Sequence, residues 1–422
     1  MFVVKHLLKR DGVIVGAELM TPDGIEVITR SDFPKYKDNL TNAMVISDGG
    51  IRATKRYIAE RELLSNGEQS MGKPISKYTI MHENIEVVTL NKATDGVTVH
   101  NRKHLPFALR SLENISSVAV FEWIANRIES TDRQYMNMIY LARKVGRDRD
   151  NIISDSSGIS FSDNFWIKTS DITITWENLL EMRDTNSNLS AVALTGKIDT
   201  NKDYLSGKSS LLTVKGHFKK AIGGGFIIKM REDAILEYPA HLLGKQLDIP
   251  TALCELTKNT VKIKIFTDNE KSLVHASELK KYYFTTGEIY NEIIHINRPD
   301  LISELQRMYI FNYLIGNPDL HDENMGMIYD SRTFELLSVS PCYDHNMAFQ
   351  EGFNGATRTK PKGTPELVEL DDLTQMFISR HPDIAEKLKT IDYSEISKYL
   401  SERQLSELEE RIANTIKWAK TP

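Results

Sequence analysis

Only two cysteines, Cys254 and Cys342, occur in 422 residues. That scarcity excludes a disulfide framework, and without histidines at ligand spacing it excludes a structural zinc cluster. No apolar run approaches the roughly twenty residues that cross a bilayer. The opening Met1-Phe2-Val3-Val4-Lys5-His6-Leu7-Leu8-Lys9-Arg10 is too short and too interrupted for a signal peptide. An excess of one charge is missing as well. The 53 Lys and Arg stand against 58 Asp and Glu, a net charge of −5, so no basic field argues for nucleic acid or an anionic membrane. Internal repeats and low-complexity tracts are also absent. The expectation is a cytoplasmic protein with neither a membrane nor a nucleic-acid partner. Hydrophobic residues at 41% and charged residues at 26% are ordinary for a globular chain. The length exceeds one compact core and predicts two or three domains.

Residues 1–150 read as β-rich and then helical. Alternating segments at 12–20 and 24–29 flank Thr21-Pro22-Asp23-Gly24, a hairpin turn. Further strands are expected at 43–47, 85–90 and 97–100. Apolar residues at helical spacing predict helices over 117–128 and 133–143. Their Met and aromatic stripes read as core. No catalytic pattern stands in this region, which is read as regulatory or partner-binding. The polar stretch 147–162 is the linker candidate, and Trp166 and Trp176 beyond it read as packing anchors between two domains.

The chemistry gathers later. Phe311-Asn312-Tyr313-Leu314-Ile315-Gly316-Asn317-Pro318-Asp319-Leu320-His321-Asp322-Glu323-Asn324 reads as the end of an apolar helix followed by a tight polar loop, with a strand over 325–329 and Asp344 at the end of a further strand. Phosphoryl transfer needs one carboxylate for the acceptor hydroxyl and oxygen ligands for Mg²⁺ on the nucleotide phosphates. Protein kinases place that Asp five residues before a metal-binding Asn, with a second Asp on a later strand. Asp319, Asn324 and Asp344 keep this order and spacing. A plain polar turn at Asn317-Pro318-Asp319, capped by Asp319 or Asn324, is the structural alternative.

The His-Arg-Asp order of ordinary protein kinases is absent, because His321 follows Asp319. Asp-x-His-x-x-Asn resembles the HipA-like serine/threonine kinases of bacteria and, more distantly, the phosphatidylinositol kinases. The resemblance extends over roughly residues 195–350. It implies an α+β fold: a two-lobed, protein-kinase-like (HipA-like) domain preceded by a small β-rich plus helical N-terminal region. The divisions are 1–150, the N-terminal region; 151–270, the smaller lobe with its preceding linker; and 271–422, the larger, mainly helical lobe.

Within the smaller lobe, Phe226-Ile227-Ile228-Lys229-Met230 is a strand whose one charge is Lys229. A lysine buried in an apolar strand costs free energy unless it meets anions. The kinase pattern pairs it with nucleotide phosphates and with an acidic residue on the next helix. Pro239 is tolerated only in a first turn, so that helix starts near Glu237, the partner chosen for Lys229. An edge strand with the amine reaching water is the alternative. Ser206-Gly207-Lys208-Ser209-Ser210 fails as a Walker A loop, because position 202 is Lys. By the resemblance, Ser206, Gly207, Ser209 and Ser210 belong to a loop that covers phosphates; as plain sequence they are a flexible turn before a strand at 211–214. A hairpin over 251–256 and 261–266 leads through Phe266 into 267–270, a hinge whose backbone would meet adenine.

Helices are expected over 291–296 and 303–314, a loop beside the site over 351–364, and a capped helix over 401–412 that packs on the larger lobe. The resulting assignment is an ATP- and Mg²⁺-dependent kinase of Ser or Thr hydroxyls, self-phosphorylation at 206–210 or 351–364 included. Asp319 acts on the acceptor and Asn324 and Asp344 hold Mg²⁺. Lys229 neutralises phosphate and Glu237 positions Lys229. His321 bonds the loop backbone or Asp344, and Asp322 and Glu323 read as solvated. Partners are a protein substrate and a regulatory protein bound through residues 1–150. A lipid or small-molecule kinase, or a nucleotide-binding pseudokinase of toxin–antitoxin type, are the competing readings.

Overall fold

The computed structural model describes residues 75–110, 112–128, 133–170, 173–214, 218–279, 298–355 and 369–420, and, of the first 74 residues, the backbone of five strands. Contacts divide the chain into two compact units. One comprises Met1–Gly72 with Arg143–Gly146, the other Lys73–Ala142 with Arg147–Pro422.

In the first unit β1 (Val3–Arg10), β2 (Val13–Thr21) and β3 (Gly24–Thr29) form an antiparallel meander, with Thr21 opposite Gly24 across the expected turn. The opening apolar run is therefore a strand. A second hairpin joins β4 (Met44–Ser47) to β5 (Gly50–Ala53).

The second unit begins with a sheet ordered β8-β7-β6-β9, from β6 (Lys77–His82), β7 (Ile85–Asn91), β8 (Gly96–Val99) and β9 (Phe165–Thr169). Between β8 and β9 lie α1 (Ser117–Ile128), α2 (Met136–Arg143) and α3 (Arg149–Ser156). α2 starts later than its apolar spacing suggests, because Tyr135 takes φ 64°, outside the helical region. The linker expected at 147–162 contains α3 instead. Asp148 Oδ1 accepts the Asn151 N–H at 3.0 Å and caps the helix, while Ile152 and Ile153 are buried under its polar face. Trp166 and Trp176 share one core cluster with Met81, Ile159 and Leu179. They therefore pack inside this unit, a correction to their reading as anchors between domains. The Trp166 indole N–H donates to the Glu83 carbonyl at 2.7 Å.

Beyond two helices, α4 (Trp176–Met182) and α5 (Ser187–Thr195), the strand expected at 211–214 is a 3-10 turn over Ser210–Leu212. Side chains make it: Ser209 Oγ accepts the Leu211 N–H, and Asp184 takes both the N–H and hydroxyl of Ser210. A sheet ordered β10-β11-β13-β12 follows, built from β10 (Lys220–Gly223), β11 (Phe226–Met230), β12 (Cys254–Leu256) and β13 (Thr260–Lys264). Helix α6 (Glu237–Leu247) packs on it, starting where Pro239 predicts.

Residues 265–270 cross to a third antiparallel sheet, β14 (Lys271–His275), β15 (Gly326–Asp330) and β16 (Leu336–Val339). The helical remainder is α7 (Pro299–Leu314), α8 (Leu370–Ile378), α9 (Pro382–Leu388) and α10 (Glu402–Trp418). A capping box between Ser401 and Gln404 opens α10, as its sequence predicts. The helix expected at 291–296 and most of the 351–364 loop lie outside the described residues. The fold is α+β with a kinase-like order of strand, helix, hairpin, then helix, loop and hairpin. Among the described residues no helix is long and apolar enough to cross a membrane.

Where the first sheet of this unit meets the turn after β15, His82 and His104 approach Nδ1 to Nδ1 at 2.9 Å, and the His82 ring packs between Phe165 and Phe334. Burial, reinforced by His104, lowers the His82 pKa to about 4, with Asp163 opposing and Arg110 adding to the shift. The folded state therefore binds fewer protons than the unfolded chain between that value and the usual histidine range. Stability is expected to be full above about pH 6.5 and to fall by up to about 3 kcal/mol as pH drops toward 4. Urea unfolding at several pH values measures this, and His82→Phe should reduce the slope without abolishing it, because the buried His345 is shifted in the same direction.

Candidate active site

The site is built from a strand, a helix and two loops. β10 and β11 are joined by Gly224-Gly225, both at positive φ (60° and 77°), as a type I′ hairpin turn requires. The register places Lys229 near the far end of β11 with 3% of its surface exposed. Its Nζ lies 2.6 Å from Glu237 Oε1 and 2.5 Å from Asp344 Oδ1. Glu237, the first residue of α6, is equally buried, and its Oε2 accepts the backbone N–H of His345 at 3.0 Å. One carboxylate thus fastens the strand, the helix and the segment after β16.

Asp344 lies beyond the end of β16 rather than on it, at φ 61°, in the left-handed region that Asp tolerates better than most residues. A parallel bridge between Thr251 and Cys342 holds the approach to it, with Ala252 N–H on Cys342 O at 2.9 Å. The Asp344 side chain is 29% exposed where Lys229 and Glu237 are each 4%, so the ion cluster opens on its side. Burial alone would raise the Asp344 carboxyl, but Lys229 and then Lys220 hold it well below the usual range. Burial would likewise lower Lys229, and the charges of Asp344 and Glu237 more than reverse that. The pair is ionised.

The second loop leaves α7 through a relay of buried amides. Asn312 Nδ2 donates to Met308 O at 2.9 Å, Asn317 Nδ2 to Asn312 Oδ1 at 2.8 Å, and the Asp319 N–H to Asn317 Oδ1 at 3.0 Å. Asn324 Nδ2 closes the loop on Asp319 O at 2.9 Å. His321 Nδ1 accepts the Glu323 N–H at 3.1 Å, so the neutral ring carries its proton on Nε2, 4.0 Å from Asp319 Oδ2. The expected bond to the loop backbone is therefore present, and the carboxylate His321 faces is Asp319. Tyr343 O–H donates to Glu323 O at 2.9 Å and links this loop to the residue before Asp344. From behind, Arg411 on α10 donates to Leu314 O at 2.9 Å, over Gly316 at φ 55°, where a Cβ would stand 3.0 Å from the guanidinium.

Asn324 and Asp344 are hard oxygen donors of the kind Mg²⁺ prefers, and that ion keeps waters and phosphate oxygens in its remaining positions. Among the described residues no three His, Cys, Asp or Glu side chains gather as a metal cage. Phe266 packs against Tyr343, ring centroids 5.6 Å apart, in the apolar cluster under β12 and β13. It also lines a cavity of about 230 Å³ with Ile249, Pro250 and Met308. Ile265 N–H bonds Gly225 O at 3.0 Å, tying the crossing segment to the glycine turn.

The 206–210 loop has partners of its own. Ser206 Oγ accepts from Asn186 Nδ2, Lys208 Nζ donates to Ser154 O, and Ser209 and Ser210 are buried at 3% and 0% with the bonds given above. Gly207 has φ 72° and sits against Met182. In this conformation the loop's hydroxyls are committed to protein.

The sequence reading missed Lys220. Counting outward from Gly224-Gly225 pairs it with Lys229, and it is 7% exposed. His345 was also missed; burial lowers its pKa to about 4, so it is neutral beside Glu237.

A family model of the HipA-like C-terminal domain matches residues 205–417. A comparison with curated proteins finds no match. Among solved structures the chain is similar to the proinflammatory kinase CtkA of Helicobacter pylori, at 16% identity and a TM-score of 0.36, over 48% of this chain and 92% of that one. It is also similar to a chain of the Shewanella oneidensis MR-1 toxin–antitoxin complex of HipA, HipB and operator DNA, at 13% identity and a TM-score of 0.49, over 81% and 96%.

Removing one partner of a buried ion pair strands the other charge. Glu237→Ala is expected to destabilise the protein by about 3–5 kcal/mol, and by clearly less in a Lys229→Met background. Denaturant unfolding of the single and double variants measures the difference.

Proposed function

The chain belongs to the HipA-like family, whose C-terminal domain spans residues 205–417, and from that membership and the buried Lys229–Glu237–Asp344 cluster we propose that it is an ATP- and Mg²⁺-dependent phosphotransferase acting on a Ser or Thr hydroxyl of a protein. The observation that carries the reading is a lysine held between two carboxylates, one on the following helix and one beyond a later strand. In phosphoryl transfer, catalysis is mainly positioning and charge neutralisation. Lys229 supplies a fixed positive charge for phosphate oxygens, and Glu237 fixes its direction. Asp344 and Asn324 would hold Mg²⁺, which when bound neutralises charge across the phosphates. Asp319 accepts the proton of the acceptor hydroxyl at its carboxylate, with His321 Nε2–H on the same side. The amide relay through Asn312 and Asn317 holds Asp319 in place before any ligand arrives.

Ser206 is exposed while Ser209 and Ser210 are buried and bonded, so self-phosphorylation in that loop would fall first on Ser206. A regulatory protein partner is assigned to residues 1–150, where α1 exposes Val118 at 64% and Phe121 at 41%.

Incubation with labelled ATP and Mg²⁺ is expected to transfer phosphate to a protein Ser or Thr, and Asp319→Asn to lower the rate by about 10²–10⁴-fold with the melting temperature unchanged. Transfer at the wild-type rate in Asp319→Asn would take the acceptor role away from Asp319. Asp344→Ala should weaken Mg²⁺-dependent ATP binding in calorimetry; equal affinity would remove it from the metal site.

A further inference from the structure

The cavity of about 230 Å³ beside Phe266 is lined by none of the residues assigned above to phosphate, metal or acceptor. Ile249 and Pro250 come to it from the connection between α6 and β12. Glu304 and Met308 stand about one turn apart on α7 and present the same side of that helix to it. Val339, which ends β16, and Ser340 after it complete the wall. Phe266 belongs to the crossing segment, whose preceding residue is tied elsewhere: the Ile265 N–H bonds Gly225 O, in the glycine turn above the Lys229 strand. The crossing segment thus has the glycine turn as one neighbour and this cavity as another.

Two polar groups interrupt this mostly apolar lining. Glu304 is half-buried, and its Oε2 accepts the Val339 N–H at 2.7 Å. Among the described residues its carboxylate makes no ion pair. Arg298, the cation that acts on it, is engaged by Asp300 at 2.7 Å and by Leu336 O at 2.9 Å. Burial holds the Glu304 carboxyl above its ordinary pKa, with the Val339 N–H opposing that shift and Asp300 adding to it. Lys271 also lines the cavity, but it is exposed and its charge is not among those acting on Glu304. Ser340 is 3% exposed, and among the described residues its buried hydroxyl has no hydrogen-bond partner. A carboxylate out of water and an unmatched hydroxyl both cost free energy, and one positively charged donor satisfies the two together.

We propose that this cavity binds a small primary amine with an apolar body, the ammonium donating to Glu304 and Ser340 and the body packing against Ile249, Phe266 and Met308. The carboxylate selects the charge, the hydroxyl takes a second N–H, and the volume admits a body the size of a single aromatic ring. The site is separate from the Lys229 cleft, and its assignment does not rest on the nucleotide reading of that cleft.

Calorimetric titration of the full-length chain with phenethylamine tests this, beside phenethyl alcohol and hydrocinnamate, which keep the ring and replace the ammonium by a neutral hydroxyl or a carboxylate. The amine should bind about tenfold or more tighter than the alcohol, and the acid should not bind at millimolar concentration. Glu304→Gln keeps an acceptor for the Val339 N–H; it should weaken the amine about tenfold or more and leave the alcohol within about twofold. Ser340→Ala should weaken the amine about threefold or more. Saturating ATP should leave the amine affinity within about twofold. Equal wild-type affinity for amine and alcohol would overturn the assignment without recourse to any variant, as would no binding of the amine at millimolar concentration. Unchanged amine affinity in both variants would overturn it too, and so would loss of the alcohol together with the amine in Glu304→Gln, which would make Glu304 a structural brace of Val339. Displacement of the amine by ATP would place it in the Lys229 cleft and equally sink the separate site.

Discussion

The contact of Lys229 with Glu237 and Asp344 is the constraint from which the rest of the site follows. Three charges leave water to make it, and desolvation of that kind is seldom repaid in stability. Apolar residues of similar volume would fill the space at less cost. A cluster so arranged, on a strand, a helix start and a loop, is what functional sites hold and cores avoid. Its geometry also explains the surrounding backbone. Pro239 sets where α6 begins, the glycine turn sets the register of Lys229, and the left-handed Asp344 turns its carboxylate toward the amine.

The loop carrying Asp319 is stiffened by other means. Buried amides pass hydrogen bonds from the last turn of α7 to Asp319 and back from Asn324. Each side-chain amide has donors and an acceptor to satisfy, and here those groups meet one another or the backbone, so burial does not leave them stranded. The loop's shape is therefore set by hydrogen bonds within the protein.

Much of this was legible in the letters. The isolated charge in 226–230, which meets the carboxylate expected of Glu237, and the proline in the first turn of α6 are local patterns that the fold bears out. The helix over 117–128 and the capping box at Ser401 were read to the residue for the same reason. What could not be read depends on long-range partners. The polar run at 147–162 hides a helix, because only the fold reveals which face of it is buried. Ser210–Leu212 became a 3-10 turn because Asp184, far back in the chain, takes the N–H and hydroxyl of Ser210. Trp166 and Trp176 were recognised as anchors, but the side chains they would meet were not. Lys220 is set opposite Lys229 by the register of the two-residue glycine turn, a pairing that follows once 220–223 is a strand.

The guanidinium of Arg411 adds a matter of timing. It supports the carbonyl of Leu314 from 97 residues further along the chain, and Gln404 of the same helix holds Phe349 O at 3.0 Å. A ribosome delivers residues in order, so the loop with Asp319 emerges well before the helix that braces it. Until that helix docks, the carbonyl of Leu314 at the end of α7 lacks its guanidinium donor. The brace behind the loop is thus the last part of this arrangement to be synthesised.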